Sequence, residues 1–377
     1  MPQVSVILSS LNHAKYLEAA IDSVLNQTFG DFEFFIVDDA SDDNSWEIIR
    51  RYKDHRIIAM KNSRRMRGAY GFNEIISKHA RGEYIAIHHS DDMFLPQKLG
   101  RQVAFLDAHP EIAAVFTRAD IIDEEGAPFA DPDHFYASIF RQQNRTRFEW
   151  LRHFFLHGNC LCHPSVLARR SAYLSVGLYD RRLGQLTDFD LWIRMCLQHE
   201  IHILDEPLVK FRVRAGEANQ SGHRAETMVR GRNEWMQVLR NYLKIENEKD
   251  LLRIFPDTRN RYPLGTPLSY QLAIHALDVG GDTQRAFGLE LLFALMLDER
   301  MVATLDGYGF RYLDLIERSG QYDYFGNTDL YRVECESRAL KAELRRVKNT
   351  FSWRITKPMR FCTKVVSKIL RGVTQKA

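Results

Sequence analysis

Through the first hundred residues, short β-rich apolar runs alternate with segments of helical spacing, and two of the runs end in acidic clusters. Residues 34–36 lead into Val37-Asp38-Asp39-Ala40-Ser41-Asp42-Asp43, and residues 84–87 lead into His88-His89-Ser90-Asp91-Asp92. Residues 4–8 read as a strand, after which Leu17, Ala20, Ile21, Val24 and Leu25 recur at helical spacing within 16–25. Strands at 32–37, 57–60 and 84–87 and helices at 45–52 and 72–79 continue the series, with Ser41 or Asn44 as the cap of the helix at 45. Such alternation predicts a mostly parallel sheet with helices on both faces and right-handed crossovers. Ligands of open α/β sheets sit beyond the carboxyl ends of the strands, so the two clusters are expected to face one crevice. Carboxylates there suit a divalent cation and a phosphorylated ligand.

Farther along, the pattern is mixed from 148 to about 219, with a helix expected at 190–197 and a strand at 201–204. After Gly222 it is helical almost throughout, with loops at Pro256, Pro263, Gly265, Pro267 and Gly280-Gly281. This divides the 377 residues into 1–222, a helical region 223–330, and a terminal segment 331–377. No run of eighteen apolar residues exists, the stretch at 291–297 being too short to span a bilayer, and no charged-then-apolar leader precedes Val4. The expected location is the cytoplasm. Five cysteines without framework spacing fit reduced thiols, and Cys160-Leu161-Cys162-His163 lacks the second ligand pair of a structural zinc site. The net charge of +3 conceals an asymmetry: residues 341–377 hold eleven Lys/Arg against the single Glu343, which leaves about −7 on the first 340.

Several ordered segments carry a resemblance. Val4-Ser5-Val6-Ile7-Leu8-Ser9-Ser10-Leu11-Asn12, Ala20-Ile21-Asp22-Ser23-Val24-Leu25-Asn26-Gln27-Thr28, and the run from Phe32 to Asp43 are followed by Gly82-Glu83-Tyr84-Ile85-Ala86 and the second acidic cluster. Then come Gly158-Asn159, His163-Pro164-Ser165, Gly177-Leu178-Tyr179-Asp180 and Thr187-Asp188-Phe189-Asp190-Leu191-Trp192-Ile193-Arg194. In this order, across roughly residues 3–222, they resemble the family 2 glycosyltransferases of GT-A fold, a Rossmann-like α/β architecture, here followed by a helical C-terminal region.

The resemblance implies roles residue by residue. Ser9 and Asp39 would meet the uracil or ribose edge of a nucleotide; Asp91 and Asp92 correspond to the acidic pair that holds Mn²⁺ or Mg²⁺ against the diphosphate. Asp188 aligns with the base that takes the proton of an acceptor hydroxyl in a single inverting displacement. Three positions depart from the family pattern. His89 stands where many members have the first Asp, Leu11 replaces a stacking Tyr, and Arg214 stands where a His is common, with His223 only later. His89 could contact the diphosphate, or ligate the metal as a neutral imidazole, a donor better suited to Mn²⁺ than Mg²⁺.

Other features admit two readings. The acidic clusters also suit solvated turns and helix caps. Arg64, Arg65 and Arg67 beside Gly68 form either a diphosphate fork or a solvated charge run. His163 and Trp192 could line an acceptor pocket, Trp192 equally being core at helical spacing, and Asp190 is the next candidate base. Val333, Leu340, Leu344, Val347 and Phe351 follow a coiled-coil seam, so residues 331–351 could pair chains into a homo-oligomer. Beyond it, Met359, Cys362, Val366, Ile369 and Val373 repeat opposite Arg360, Lys364, Lys368 and Arg371. That is a basic amphipathic helix, fit either for an anionic membrane surface or for packing on protein. Nucleic acid is not an expected partner, since the tail has no stacking platform or reading motif.

The expected function is therefore metal-dependent transfer of a sugar from a nucleotide-diphosphate donor, UDP-sugar first, to a saccharide or lipid-linked saccharide in bacterial surface polysaccharide synthesis. The other reading is a non-catalytic nucleotide-sugar-binding or scaffold protein of such an assembly. A nucleotidyltransferase should show a Gly-rich phosphate loop, and Ser9-Ser10-Leu11-Asn12 has no glycine.

Overall fold

The structure, a computed structural model, describes residues 1–324 and 326–349. Its first half alternates as expected: β1 (Val4–Ser10), α1 (Ala14–Leu25), β2 (Phe32–Asp38), α2 (Ser45–Arg51), β3 (Ile57–Lys61), α3 (Gly68–Glu74, running on through one π turn to His79) and β4 (Tyr84–His89). Then follow β5 (Met93–Phe94), α4 (Lys98–Ala108), β6 (Ile112–Ile122), α5 (Arg147–His157), β7 (Leu167–Arg169), α6 (Arg170–Val176), α7 (Thr187–Gln198) and β8 (Glu200–Arg212). The remainder is helical: α8 (Ala225–Leu239), α9 (Glu248–Ile254), α10 (Leu268–Val279), α11 (Asp282–Leu295), α12 (Glu299–Gly307), α13 (Tyr312–Gln321) and α14 (Asn327–Asn349).

The eight strands form one sheet in the order β3-β2-β1-β4-β7-β6-β8-β5. Pairs β1–β2, β1–β4, β2–β3 and β6–β8 are parallel, while β7 runs antiparallel to both neighbours and β5 caps the edge of β8. Side chains of a strand alternate between faces, and both faces here are apolar. Ile7, Phe35, Val37, Ile85 and Ile87 join Phe72, Phe154, Tyr173 and Trp192 in one core, whereas Val6, Leu8, Phe34, Ile36 and Ala86 join Leu17, Ile21, Ile48, Leu99 and Val103 in the other.

The first core also contains Val238 of α8, Leu251 of α9, Leu272 of α10 and Phe287 of α11. The change in composition at 222 therefore does not coincide with a gap in packing: Met1–Leu315 is one compact unit. A second unit begins at Ile316, and within it Val333, Leu340 and Leu344 of the expected seam are exposed on α14. Phe351 and the basic segment 352–377 lie outside the described residues. Among the described residues no helix is long and apolar enough to cross a membrane.

Two local expectations are corrected. Asn44 stands at the N-cap of α2, but no side chain there makes the capping hydrogen bond; the Asp43 carboxylate instead accepts from the amides of Ser45 and Ala14, both at 3.0 Å, and so ties the starts of two helices together. The strand expected at 201–204 continues to Arg212, because the register against β6 shifts between Leu204 and Pro207. A bulge there lets a proline pass through the strand without breaking the ladder on either side.

Candidate active site

The strand register brings the two acidic clusters together. Ser10 pairs with Asp38 of β2, and the preceding Ser9 lies between Val37 of β2 and His89 of β4, so both clusters flank the end of β1 at one sheet edge. Tight turns follow, with Asn12 and Ala40 in the left-handed region at φ 54° and 59°. Their backbones interlock: Asn12 donates to Ser41 Oγ at 3.0 Å, and Asp42 N donates to Asn12 Oδ1 at 2.8 Å. Asp39 is buried, and its Oδ1 accepts from Asn62 Nδ2 and Met66 N, both at 2.7 Å, while Oδ2 accepts from Arg67 N at 2.8 Å. The residue expected at a nucleotide base thus also anchors the arginine loop. Within that loop Arg65 pairs with Asp42, and Arg67, at φ 65°, precedes the first residue of α3.

At the end of β4, His88 is fully buried, directed at the Ala20 carbonyl, and burial lowers its pKa well below the usual histidine value. His89 and Asp91 point the other way with Asp92, and single donor atoms of the three lie within 4.8 Å of one another. Asp92 Oδ1 accepts from Arg212 N at 2.8 Å; its Oδ2, 3.3 Å from His89 Nδ1, is buried and makes no aligned hydrogen bond. Burial pushes Asp92 up to about 6, with Asp91 adding to the shift. Burial opposes charge on His89 as well, yet Asp92, Asp91 and Asp188 together raise its pKa. An orphaned buried carboxylate oxygen beside an imidazole nitrogen and a second carboxylate is a donor set that fits a hard or borderline divalent cation.

The surroundings of this group were only partly foreseen. His163 Nδ1 stands 3.2 Å from His89 Nε2, and its own Nε2 is 2.9 Å from the Tyr179 hydroxyl, so a second layer orients the His89 ring. Arg214 Nε is 3.4 Å from Asp91 Oδ2, and Arg214 Nη1 is 2.8 Å from His13 Nε2; His13 Nδ1 in turn meets Ser90 Oγ at 2.7 Å. His223 is exposed and is not among the three clustered donors. No periodicity or spacing marks His13 as part of such a site.

Asp188 lies in the first turn of α7 and is half-buried. Asn159 Nδ2 donates to Oδ2 at 2.9 Å and Phe189 N donates to Oδ1 at 2.8 Å. Burial nevertheless dominates and raises its pKa. Asp188 and His89 each shift the other's titration, which places the carboxylate within electrostatic reach of the second cluster. The loop entering α7 is held from the helical region: Glu234 of α8 accepts from the amides of Gly184, Gln185 and Leu186, each at 2.8 Å. Glu234 follows no pattern that singles it out before folding.

Two candidates face away from this chemistry. Asp190 is buried; its Oδ2 accepts from Arg194 Nε at 2.9 Å and Nη2 at 2.7 Å, and Oδ1 accepts from Asn241 at 2.7 Å. Both oxygens are committed to holding α7. Trp192 is completely buried, edge-on to Phe116 at 4.8 Å and behind His163 at 5.8 Å, so it supports the site as core and lines no open pocket.

Comparison with known proteins gives three kinds of likeness. Residues 5–171 match the model of "Glycosyl transferase family 2". An uncharacterised glycosyltransferase of Methanocaldococcus jannaschii is 34% identical over 218 residues, 56% of this chain and 71% of that protein. The UDP-Glc:alpha-D-GlcNAc-diphosphoundecaprenol beta-1,3-glucosyltransferase WfaP of Escherichia coli is 38% identical over 107 residues, 28% of this chain and 42% of that protein. Among solved structures, residues 1–349 of S. aureus TarS in complex with UDP-GlcNAc superpose with a TM-score of 0.52 at 19% identity, covering 76% of this chain and 84% of that one. That last likeness bears on the fold alone.

Proposed function

Because this chain belongs to glycosyltransferase family 2 and has its GT-A fold, we propose that it moves a sugar from a UDP-sugar to a saccharide or lipid-linked saccharide acceptor, with inversion, in bacterial surface polysaccharide assembly. The observation that carries this reading is the cluster of His89, Asp91 and Asp92 at the end of β4, with Asp188 of α7 within electrostatic reach of His89. His89, Asp91 and Asp92 would hold Mn²⁺ or Mg²⁺, which when bound neutralises charge on the departing nucleoside diphosphate. Asp188 takes the proton of the acceptor hydroxyl while that oxygen bonds to the anomeric carbon and the bond to the diphosphate oxygen breaks. With Asp190 locked to Arg194, a single carboxylate of α7 remains for this role, consistent with one displacement and inversion. Ser9, the Asp39 turn and Arg67 border the donor side.

Among the relatives, the UDP-glucose donor in WfaP's name supports UDP as the nucleotide. The diphosphoundecaprenol acceptor of WfaP supports a lipid-linked acceptor, and with it a place at the inner face of the cytoplasmic membrane. Calorimetry with UDP and GDP tests the reading. UDP is expected to bind in the presence of Mn²⁺, more tightly than GDP, and to lose most affinity on Asp91→Ala, Asp92→Ala or chelation. Affinity indifferent to all three would remove the metal from the site. UDP release that depends on added acceptor would exclude a purely binding role.

A further inference from the structure

The apolar steps read in the sequence between 331 and 351 fall on α14, a 23-residue helix that buries none of its residues. Leu330, Val333, Leu340 and Leu344 follow one stripe at three- and four-residue steps through Ser337, and these four are 46% to 64% exposed. We propose that the stripe binds a second copy of the chain as a parallel, in-register, two-stranded coiled coil, a pairing that stands independently of the transferase reading above.

The charges beside the stripe select both partner and direction. With Leu330, Ser337 and Leu344 at the a positions of the heptad and Val333 and Leu340 at d, the g positions are Asp329, Glu336 and Glu343, and the e positions are Glu334, Lys341 and Lys348. In a parallel pair each g residue faces the e residue five places later on the other helix. Glu336 then meets Lys341 of the second copy, and Glu343 meets its Lys348. Among the described residues none of these four makes an ion pair within its own chain, so all four charges are available across the seam. Asp329 and Glu334 would face each other with like charge, but each is already held within its own helix, by Arg332 at 2.8 Å and by Arg338 at 3.5 Å. An antiparallel pair sets g against g, and every such contact is then acid against acid. Ser337 adds register: it faces its own counterpart only when the helices run parallel and unslipped, whereas other alignments press its hydroxyl against an apolar side chain. Both 352–377 segments, each with seven Lys/Arg and no acid, continue the chain from the same end of such a pair.

The test is sedimentation equilibrium of the full chain, with circular dichroism confirming that each variant is folded. Wild type should sediment as a dimer. Glu336→Lys with Glu343→Lys sets lysine against lysine and should weaken dimerisation roughly tenfold or more, and adding Lys341→Glu with Lys348→Glu should restore it. Direction is read from Leu344→Cys in a chain that also carries Cys335→Ser and Cys362→Ser, the cysteines at 160, 162 and 196 being buried. A parallel, in-register pair brings the two introduced thiols together, and oxidised glutathione should join them into a covalent dimer. A monomeric wild type overturns the proposal and assigns the stripe to a partner of another kind. So does a trimer or larger assembly, a dimer indifferent to the charge reversals, or a dimer that yields no covalent product from Leu344→Cys.

Discussion

At the residue scale, the carboxylate of Asp188 is subject to opposed effects. Burial raises its pKa, while the Phe189 amide and the Asn159 side chain stabilise its charged form. A base works only when deprotonated, so a raised pKa moves the loss of activity on acidification to a higher pH than an ordinary aspartate would give. The acidic limb of kcat/KM should therefore lie above the usual aspartate value of about 4. Asn159→Ala removes a donor to the charged form and should shift that limb further up in pH-rate measurements. Asp188→Asn should cut transfer by roughly 10² to 10⁴ while nucleotide binding persists, since general base catalysis is typically worth that much. Near-full transfer by that variant would place the base elsewhere, and Asp190, held by Arg194 and Asn241, is structurally unsuited to replace it.

At the scale of elements, α4 shows how a strand and a helix can bury a charge-bearing side chain outside the site. Lys98, its first residue, is fully buried, with Nζ 4.0 Å over the Phe94 ring of β5 and 3.4 Å from the Val166 carbonyl. Burial pulls its pKa down to about 7. Between that value and the ordinary lysine value of about 10.4, the unfolded chain holds a proton that the folded protein lacks, so stability rises with pH across the window. Denaturant midpoints should therefore increase from pH 7 to pH 9.5, and Lys98→Met should flatten this dependence. At pH 7 the variant should be more stable by about 1 to 3 kcal/mol, the usual cost of a buried polar group short of partners, and the gap should narrow as the pH rises. A variant with unchanged pH dependence would show that Lys98 stays protonated in the fold. Glu234 makes the same point about elements from the opposite side: a carboxylate on α8 sets the loop ahead of α7, so the helical region contributes directly to the site.

For the whole molecule, the terminal segment is where the remaining expectations are tested. Leu340 and Leu344 are exposed on α14, and pairing through residues 331–351 predicts that Leu340→Lys with Leu344→Lys lowers the sedimentation mass of the full chain. A mass unchanged by the pair, or monomeric from the start, removes the seam from assembly. Deleting 352–377, with seven Lys/Arg and no acid, should release the protein from anionic vesicles in co-sedimentation while leaving it folded. Each basic group near such a surface contributes about 1 kcal/mol within a Debye length, so attachment should weaken with salt. Full-length protein that ignores anionic vesicles would reassign the tail to protein contacts. What the sequence by itself determined is the local and periodic part: the βα alternation, the two-faced burial of β1, β2 and β4, and the acidic clusters at strand ends. These follow from side-chain period and turn chemistry, which act over a few residues. Only the tertiary structure decided that Asp190 and Trp192 belong to the framework, that β8 passes Pro207, that Arg214 and His13 meet the second cluster, and that α8 holds the loop entering α7. Each of those depends on which groups satisfy one another across tens to hundreds of residues, a partnership that burial enforces and that no local pattern records.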